Sequence, residues 1–284
     1  MEARLSVWES SWKCDGGLFV GRNNAIVVPY NKTIFHYMEQ STAIDKAIDV
    51  LVHLRTGGQP CGVTQLALAL QLPKSSTHRL LSTLVRRGMV ERDTRGRYRL
   101  GVGLVSLGLG ALEQDPLVVA ARPILEAEAQ ALGETCFLVA ARAGQLTVLD
   151  KAEGTGFLRA SPRVGSHVPL HATAAGKLYL ALSPEQIRTE STNWQHFTER
   201  TLSRAAFEAE LALVATQGFA VNKNEWIEGL SVFSAPVFVS KRLVAVLAIA
   251  LPSGRLGELD SEVIIHRVMD AAARIGARAD GRST

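Results

Sequence analysis

Apolar residues fall into helical register where the chain becomes regular at Ser41: Ile44, Ala47, Ile48, Leu51 and Leu54 mark one face of a first helix, stopped at Gly57-Gly58. Thr64 reads as the N-cap of a short second helix over Gln65 to Leu70, and Gln71-Leu72 as a turn. Pro73 suits the first position of a third helix, where its missing N–H is no loss, and Gly88 closes it. On that helix Ser75, Arg79, Ser82 and Arg86 recur on one side, while Leu80, Leu81, Leu84 and Val85 take the other. Met89 to Arg92 and Arg97 to Leu100 then read as two strands, joined by Asp93-Thr94-Arg95-Gly96, whose Asp and Gly favour a turn. Three short helices followed by a hairpin is the pattern of a winged helix-turn-helix.

Residues 103–133 read as a helical connection, with an apolar segment ending near Pro116 and a second helix carrying Val119, Ile124, Leu125 and Ala129 to Gly133. Beyond it, strands are expected at Thr135 to Ala140 and Leu146 to Lys151, and extended chain at Phe157 to Ala160. Helices are expected from near Ala172, around Pro184 to Thr189 and over Arg204 to Gln217. Strands at Ser231 to Val239 and Arg242 to Leu251 and a helix from Asp260 complete an α+β pattern. Residues 1–37 mix Trp8, Trp12, Gly16, Gly17, Asn23, Asn24 and Pro29 without either period. Met38 opens the compact pattern and reads as the natural start, which makes 1–37 a non-native or disordered extension. The expected domains are therefore 38–102, a linker over 103–133, and 134–284.

With 47% hydrophobic residues in 284, the chain can bury cores in about two domains. Its longest apolar run, Leu243 to Leu251, is far short of the roughly 20 residues that span a membrane and reads as a buried strand. No secretory leader pattern follows Met1, so a soluble, cytoplasmic protein without a membrane partner is expected. The net charge of +4 is unevenly spread. Residues 41–101 hold ten Lys and Arg against four Asp and Glu, a local +6, while the flanking segments are balanced or slightly acidic. So concentrated a patch attracts a polyanion by counterion release.

Catalytic and metal chemistry find little support. Cys14, Cys61 and Cys136 are widely spaced, with no CxxC. His167 and His171 are separated by Pro169, which breaks a shared helical face, and no further histidine–carboxylate set completes a metal site. Ser166 and Cys136 lack a nucleophile elbow, and Gly101-Val102-Gly103 lacks the rest of a dinucleotide fingerprint. No catalytic residue, metal or cofactor is expected.

Three segments carry a specific resemblance: LPKSSTHRLLSTLVRRGMVERD..GRYRLG at 72–101, RVGSHVPLHATAAGK at 163–177, and GFAVNKNEWIEGLSVFSAPVF at 218–238. In this order and spacing they resemble the IclR family of bacterial transcription regulators, over nearly everything from Met38 onward. The resemblance implies an N-terminal winged helix-turn-helix, a linker helix, and a C-terminal GAF-like domain that binds a small effector and oligomerises. It also implies binding of palindromic double-stranded DNA operators as a homodimer or dimer of dimers.

A recognition helix offers its N-terminal residues to the major groove, which singles out Lys74, Ser75, Ser76, His78 and Arg79, with Arg79 best suited to engage guanine. His78 serves equally well as a half-buried packing residue. Arg95, Arg97 and Arg99 on the wing suit phosphate or the minor groove. The alternative is a ligand sensor whose basic module binds protein or RNA.

For the second domain, small residues at the helix start in PLHATAAGK leave backbone N–H groups open to a carboxylate and also permit tight packing, two readings that are compatible. By the resemblance, Ala174 and Ala175 face the effector while His171 and Thr173 hold the turn. Asn222, Leu230, Val232, Ala248 and Ala250 match the remaining effector-lining positions. Relatives that bind very small polar acids carry an Asp, a Cys and two Ser where this chain has Asn222, Val232, Ala248 and Ala250. The more apolar set favours an aromatic or otherwise hydrophobic acid, the alternative being that it only retunes packing. Trp226 is either a stacking wall or an interface anchor.

Overall fold

The computed structural model describes residues 19–20, 25–27, 42–157, 159–188, 194–257 and 259–281, and its contacts divide the chain into two units, one within 30–115 and one within 116–284 that also takes in the described residues ahead of Pro29. Ahead of Thr42 it describes two short strands, β1 (Phe19–Val20) and β2 (Ala25–Val27), paired antiparallel. The stretch expected to lack strands therefore holds two, each too short to show an alternation. The rest of 1–37 lies outside the described residues.

In the N-terminal unit, α1 (Ala43–Gly57) opens with a capping box. The Thr42 hydroxyl accepts the Asp45 N–H at 3.2 Å and Asp45 accepts the Thr42 N–H at 2.8 Å. Helix α2 (Val63–Ala69) starts two residues earlier than expected. Its cap is Gly62, whose N–H is taken by the Gln65 side chain at 2.9 Å, and Thr64 lies inside the helix. Helix α3 (Lys74–Arg86) likewise uses Pro73 as its cap and not as its first residue. It ends in a Schellman turn: Gly88, at φ 70°, donates to Val85 O, and Met89 donates to Leu84 O.

The buried face of α3 is Thr77, Leu81 and Leu84, packed with Val50, Leu54, Leu66, Val90 and Tyr98. Val85, expected inside, is 37% exposed. Thr77 can go inside because its hydroxyl is satisfied by Pro73 O at 3.1 Å. Strands β3 (Val90–Arg92) and β4 (Tyr98–Leu100) form the hairpin, and Cys61 adds to it by exchanging both main-chain bonds with Tyr98. Helix α4 (Val102–Gln114) follows directly. Its first turn is bonded to the end of α3 through Gly101 N–H to Met89 O at 2.8 Å and Gly103 N–H to Gly88 O at 3.0 Å. A Cβ on Gly101 would run into Gly88 O, so only glycine permits this approach.

The linker expected over 103–133 divides at Pro116. Helix α5 (Pro116–Leu132) belongs to the C-terminal unit, where Leu117, Ala121, Ile124 and Leu125 are buried. That unit is built on a five-stranded antiparallel sheet in the order β6-β5-β10-β9-β8. Its strands are β5 (Thr135–Arg142), β6 (Gln145–Ala152), β8 (Ala220–Lys223), β9 (Leu230–Val239) and β10 (Arg242–Pro252). Strand β7 (Arg159–Ala160) pairs in parallel with β2 instead. Helices α5 and α8 (Ser261–Asp280) pack on the sheet and on each other, where buried Glu128 meets Arg267 at 2.7 Å and Arg274 at 3.2 Å.

Helix α6 (Ala174–Leu182) packs on β8, β9 and β10, with α7 (Arg204–Gln217) beside it. Alternate residues of β5 and β10, among them Phe137, Val139, Ala248 and Ala250, join the core on the α6 side. Their neighbours Cys136, Leu138, Leu247 and Ile249 are equally buried, since both faces are covered. The result is α+β, as expected, with a sheet layered between helices.

Two expected elements move. The helix from Ala172 begins at Ala174, capped by Thr173, and the one around Pro184 is a 3-10 turn of Pro184–Gln186; residues 189–193 lie outside the described residues. Strand β8 was not foreseen. At Gly176, a Cβ would overlap the main chain of Leu170. We expect Gly176→Ala to destabilise the protein by about 1–3 kcal/mol, measured as a fall in thermal midpoint.

Candidate functional site

The sheet face toward α6 closes on a cavity of about 40 Å³. Strand register builds its floor, because directly opposed residues of antiparallel strands share a face. Val232 stands opposite both Asn222 and Ala250; two residues along, Ser234 stands opposite Ala220 and Ala248, and Ala248 opposite Phe137. The start of α6 contributes Thr173, Ala174 and Ala175, the loop after β8 gives Trp226 and Ile227, and the chain after β7 gives Ser161 and Pro162. All seven residues expected to face an effector, Ala174, Ala175, Asn222, Leu230, Val232, Ala248 and Ala250, border this one cavity. Phe137, Ser161 and Ser234 were not foreseen, although register with Ala248 would have found Phe137 and Ser234.

Most polar side chains on the wall are already engaged. Thr173 Oγ1 donates to Pro169 O at 2.6 Å and accepts the Gly176 N–H at 3.1 Å. Asn222 donates through Nδ2 to Ala172 O and accepts the Glu225 N–H at 3.2 Å, so the amide read as an effector contact has both ends committed to the protein. Ser161 bonds Glu153 and Lys151, each at 2.8 Å, and hydrogen bonds from Lys151 and Ser161 hold the Glu153 carboxyl down at about 2. Ser234 is fully buried, and its hydroxyl has no partner among the described residues. At the α6 start the Lys177 N–H makes the first main-chain bond, to Thr173 O at 3.0 Å. The preceding N–H groups of Ala174 and Ala175 have no intrahelical acceptor and can receive an anion. His171 turns elsewhere: Nε2 lies 2.7 Å from Gln195 O and the ring stacks near Trp194 and Phe197.

Lys177, at the end of the PLHATAAGK run, is the site's structural pillar. Its fully buried ammonium donates to Glu210 and Glu225 at 2.7 Å each and to Val221 O at 3.0 Å. Those bonds tie α6 to α7, to strand β8 that carries Asn222, and to the loop after it that carries Trp226. Burial pushes the Glu225 carboxyl above its ordinary value, with Lys177 pulling it back.

In the other unit, Lys74, Ser75, His78 and Arg79 are exposed on α3 and Ser76 is half-buried. His78 is thus not a packing residue. Lys74, Arg79, Arg86, Arg87 and Arg95 have no acidic partner among the described residues. Arg97 differs: its Nε bonds Asp93 at 3.0 Å, and its main-chain N–H joins that of Arg95 on the same carboxylate. The main-chain bond from Arg97 is the chief reason the Asp93 carboxyl is held below its ordinary value. Arg99 pairs with Glu91 at 2.8 Å across the hairpin. Of the wing arginines read as phosphate contacts, Arg95 alone has a guanidinium outside such a pair.

Among the described residues no cluster of three His, Cys, Asp or Glu is placed to hold a metal, and no single helix is long and apolar enough to cross a membrane. Burial pushes the Cys136 thiol up to about 12, far from a usable nucleophile.

A helix-turn-helix unit with an exposed cationic helix, followed in the same chain by an α+β unit with a small apolar cavity, is the make-up of a ligand-sensing type of transcription regulator. Residues 43–94 match the IclR helix-turn-helix domain and residues 109–277 the bacterial transcriptional regulator IclR C-terminal domain, so the chain belongs to the IclR family. These are regulators and not enzymes. The chain is 31% identical to the probable transcriptional regulator SauR of Cupriavidus necator, over 76% of this chain and 88% of that one. It is 27% identical to the transcriptional repressor AllR of Escherichia coli, over 84% and 91%. Among solved structures it superposes on an IclR regulator from Alicyclobacillus acidocaldarius with TM-score 0.73 at 25% identity, covering 85% of this chain and 100% of that one. An IclR homologue from Microbacterium hydrocarbonoxydans, solved with 4-hydroxybenzoate, gives TM-score 0.72 at 20% identity over 86% and 100%.

Replacing Lys177 by Met would strand the Glu225 carboxylate in a buried site. We expect a loss of about 3–5 kcal/mol, larger than for any exposed lysine, measured by denaturant unfolding.

Proposed function

We propose that this chain binds a palindromic double-stranded DNA operator through α3 and the wing, as a homodimer or dimer of dimers, and senses a small carboxylate in the α6 cavity. The observation that carries the effector half is the pairing of open N–H groups at Ala174 and Ala175 with an otherwise apolar wall. Lys74, Ser75, Ser76, His78 and Arg79 face the DNA, with Arg79 reading a base and Arg95 holding phosphate. Arg97 acts mainly by bracing the wing turn. A second copy is favoured by α4, none of whose residues is buried and which exposes Val102, Val105, Leu107 and Leu109.

The effector regulates only through unequal affinity for the operator-competent and incompetent arrangements. Its size follows from the cavity. At about 40 Å³ the space is smaller than the ~150 Å³ apolar hole that admits benzene. A short or branched acid fits with little change, whereas an aromatic acid requires Trp226 or another wall to move. The 4-hydroxybenzoate held by the Microbacterium homologue keeps aromatic acids in the test set.

Two experiments test this reading. In operator-shift titrations Arg79→Ala should cost about 1–3 kcal/mol with relaxed preference at one base. Arg95→Ala should weaken all duplexes alike and reduce the slope of log K on log salt by roughly one. Equal binding of wild type to random RNA would sink the duplex-DNA reading. In a thermal-shift series from glyoxylate through butyrate and isovalerate to benzoate, the apolar acids should stabilise the protein most. Stabilisation by glyoxylate alone would reverse the assignment of an apolar effector.

A further inference from the structure

We propose that the effector carries a second oxygen on its body, a hydroxyl or keto group apart from the carboxylate, and that Ser234 selects for it. This rests on the carboxylate reading of the same cavity and goes further into its specificity.

Ser234 sits in the middle of β9 with no exposed surface, on the sheet face that floors the cavity. Its cross-strand neighbours on that face are Ala220 on β8 and Ala248 on β10, and the next residue in the row is Phe137. None of these side chains can accept or donate a hydrogen bond. The hydroxyl accordingly has no partner among the described residues, whereas Thr173, Ser161 and Asn222 on the same wall are each bonded to the protein. A buried hydroxyl left in this state destabilises the fold, and alanine, already present on both sides, would fit the same space without that cost. An unmatched donor at the floor of a ligand cavity is what a site holds when the missing partner is supplied by the ligand. The helix start takes the carboxylate, the alanines and Phe137 take the carbon body, and Ser234 takes the second oxygen.

The test uses the full-length protein, its Ser234→Ala variant and two acid pairs that differ by one hydroxyl: β-hydroxybutyrate against butyrate, and 4-hydroxybenzoate against benzoate. Calorimetry should show wild type preferring the hydroxy acid of at least one pair by roughly tenfold. In Ser234→Ala that ratio should fall toward one, with the deoxy acid bound within about twofold of wild type. Without ligand, Ser234→Ala should melt roughly 2–4 °C higher than wild type. If the deoxy acids bind and wild type shows no hydroxyl preference, or Ser234→Ala retains it, the Ser234 assignment falls and the carboxylate reading stands. If no acid of either pair binds wild type, both fall together. A lower melting temperature for Ser234→Ala would show the hydroxyl to be satisfied inside the protein, and would overturn the assignment on its own.

Discussion

A buried ammonium can be tolerated only where every one of its donors meets an acceptor, and the C-terminal unit is arranged around that demand at Lys177. Its three acceptors come from α7, from the main chain of β8 and from the loop beyond β8. None of these segments is close to Lys177 in sequence. Satisfying one charge therefore fixes the helix start that offers Ala174 and Ala175, and the strand and loop that offer Asn222 and Trp226. Such a charge adds little net stability compared with an apolar core of the same volume, but it allows few alternative packings. The cavity inherits its shape from that restriction.

The second constraint is the coverage of both sheet faces. Because α5 and α8 occupy one side and α6 the other, β5 and β10 are apolar at nearly every position, and any polar residue among them stands out. On the cavity side the row Ala220, Ser234, Ala248, Phe137 contains one hydroxyl among hydrocarbon. The α6 side also has the small residues that let its first turn lie against Leu170, with Gly176 at the point of contact. Tight packing and open N–H groups, the two readings of the PLHATAAGK run, are both features of the same turn.

Local signals were legible in the sequence and non-local ones were not. The helices, the wing and the strand pairs follow from periodicity and from turn residues such as Gly58, Gly88 and Gly96, all found at positive φ. The cavity residues were legible through motif resemblance, which carries information about distant contacts that periodicity lacks. Strand β8 escaped because four residues, two of them Asn222 and Lys223, show too little alternation. Thr77 on the buried face carries no sequence signal, because its hydroxyl costs little to bury only once it is bonded to Pro73 O. The pairing of Arg97 with Asp93 depends on the shape of the wing turn, and the assignment of α5 to the sheet unit depends on packing partners far along the chain. Ser234 was invisible for a different reason: a serine in a strand is unremarkable until its neighbours across the ladder are known to be alanines.

The contact between the end of α3 and the start of α4 ties the exposed cationic helix to the helix that follows the wing. Two main-chain hydrogen bonds and a glycine approach that no other residue allows join Gly88 and Met89 to Gly101 and Gly103. The joint runs through main-chain atoms alone and does not depend on the rotamer of any side chain. A displacement of the α4 start is therefore felt at Gly88 and Met89 through main-chain bonds, before any side chain of α3 is involved.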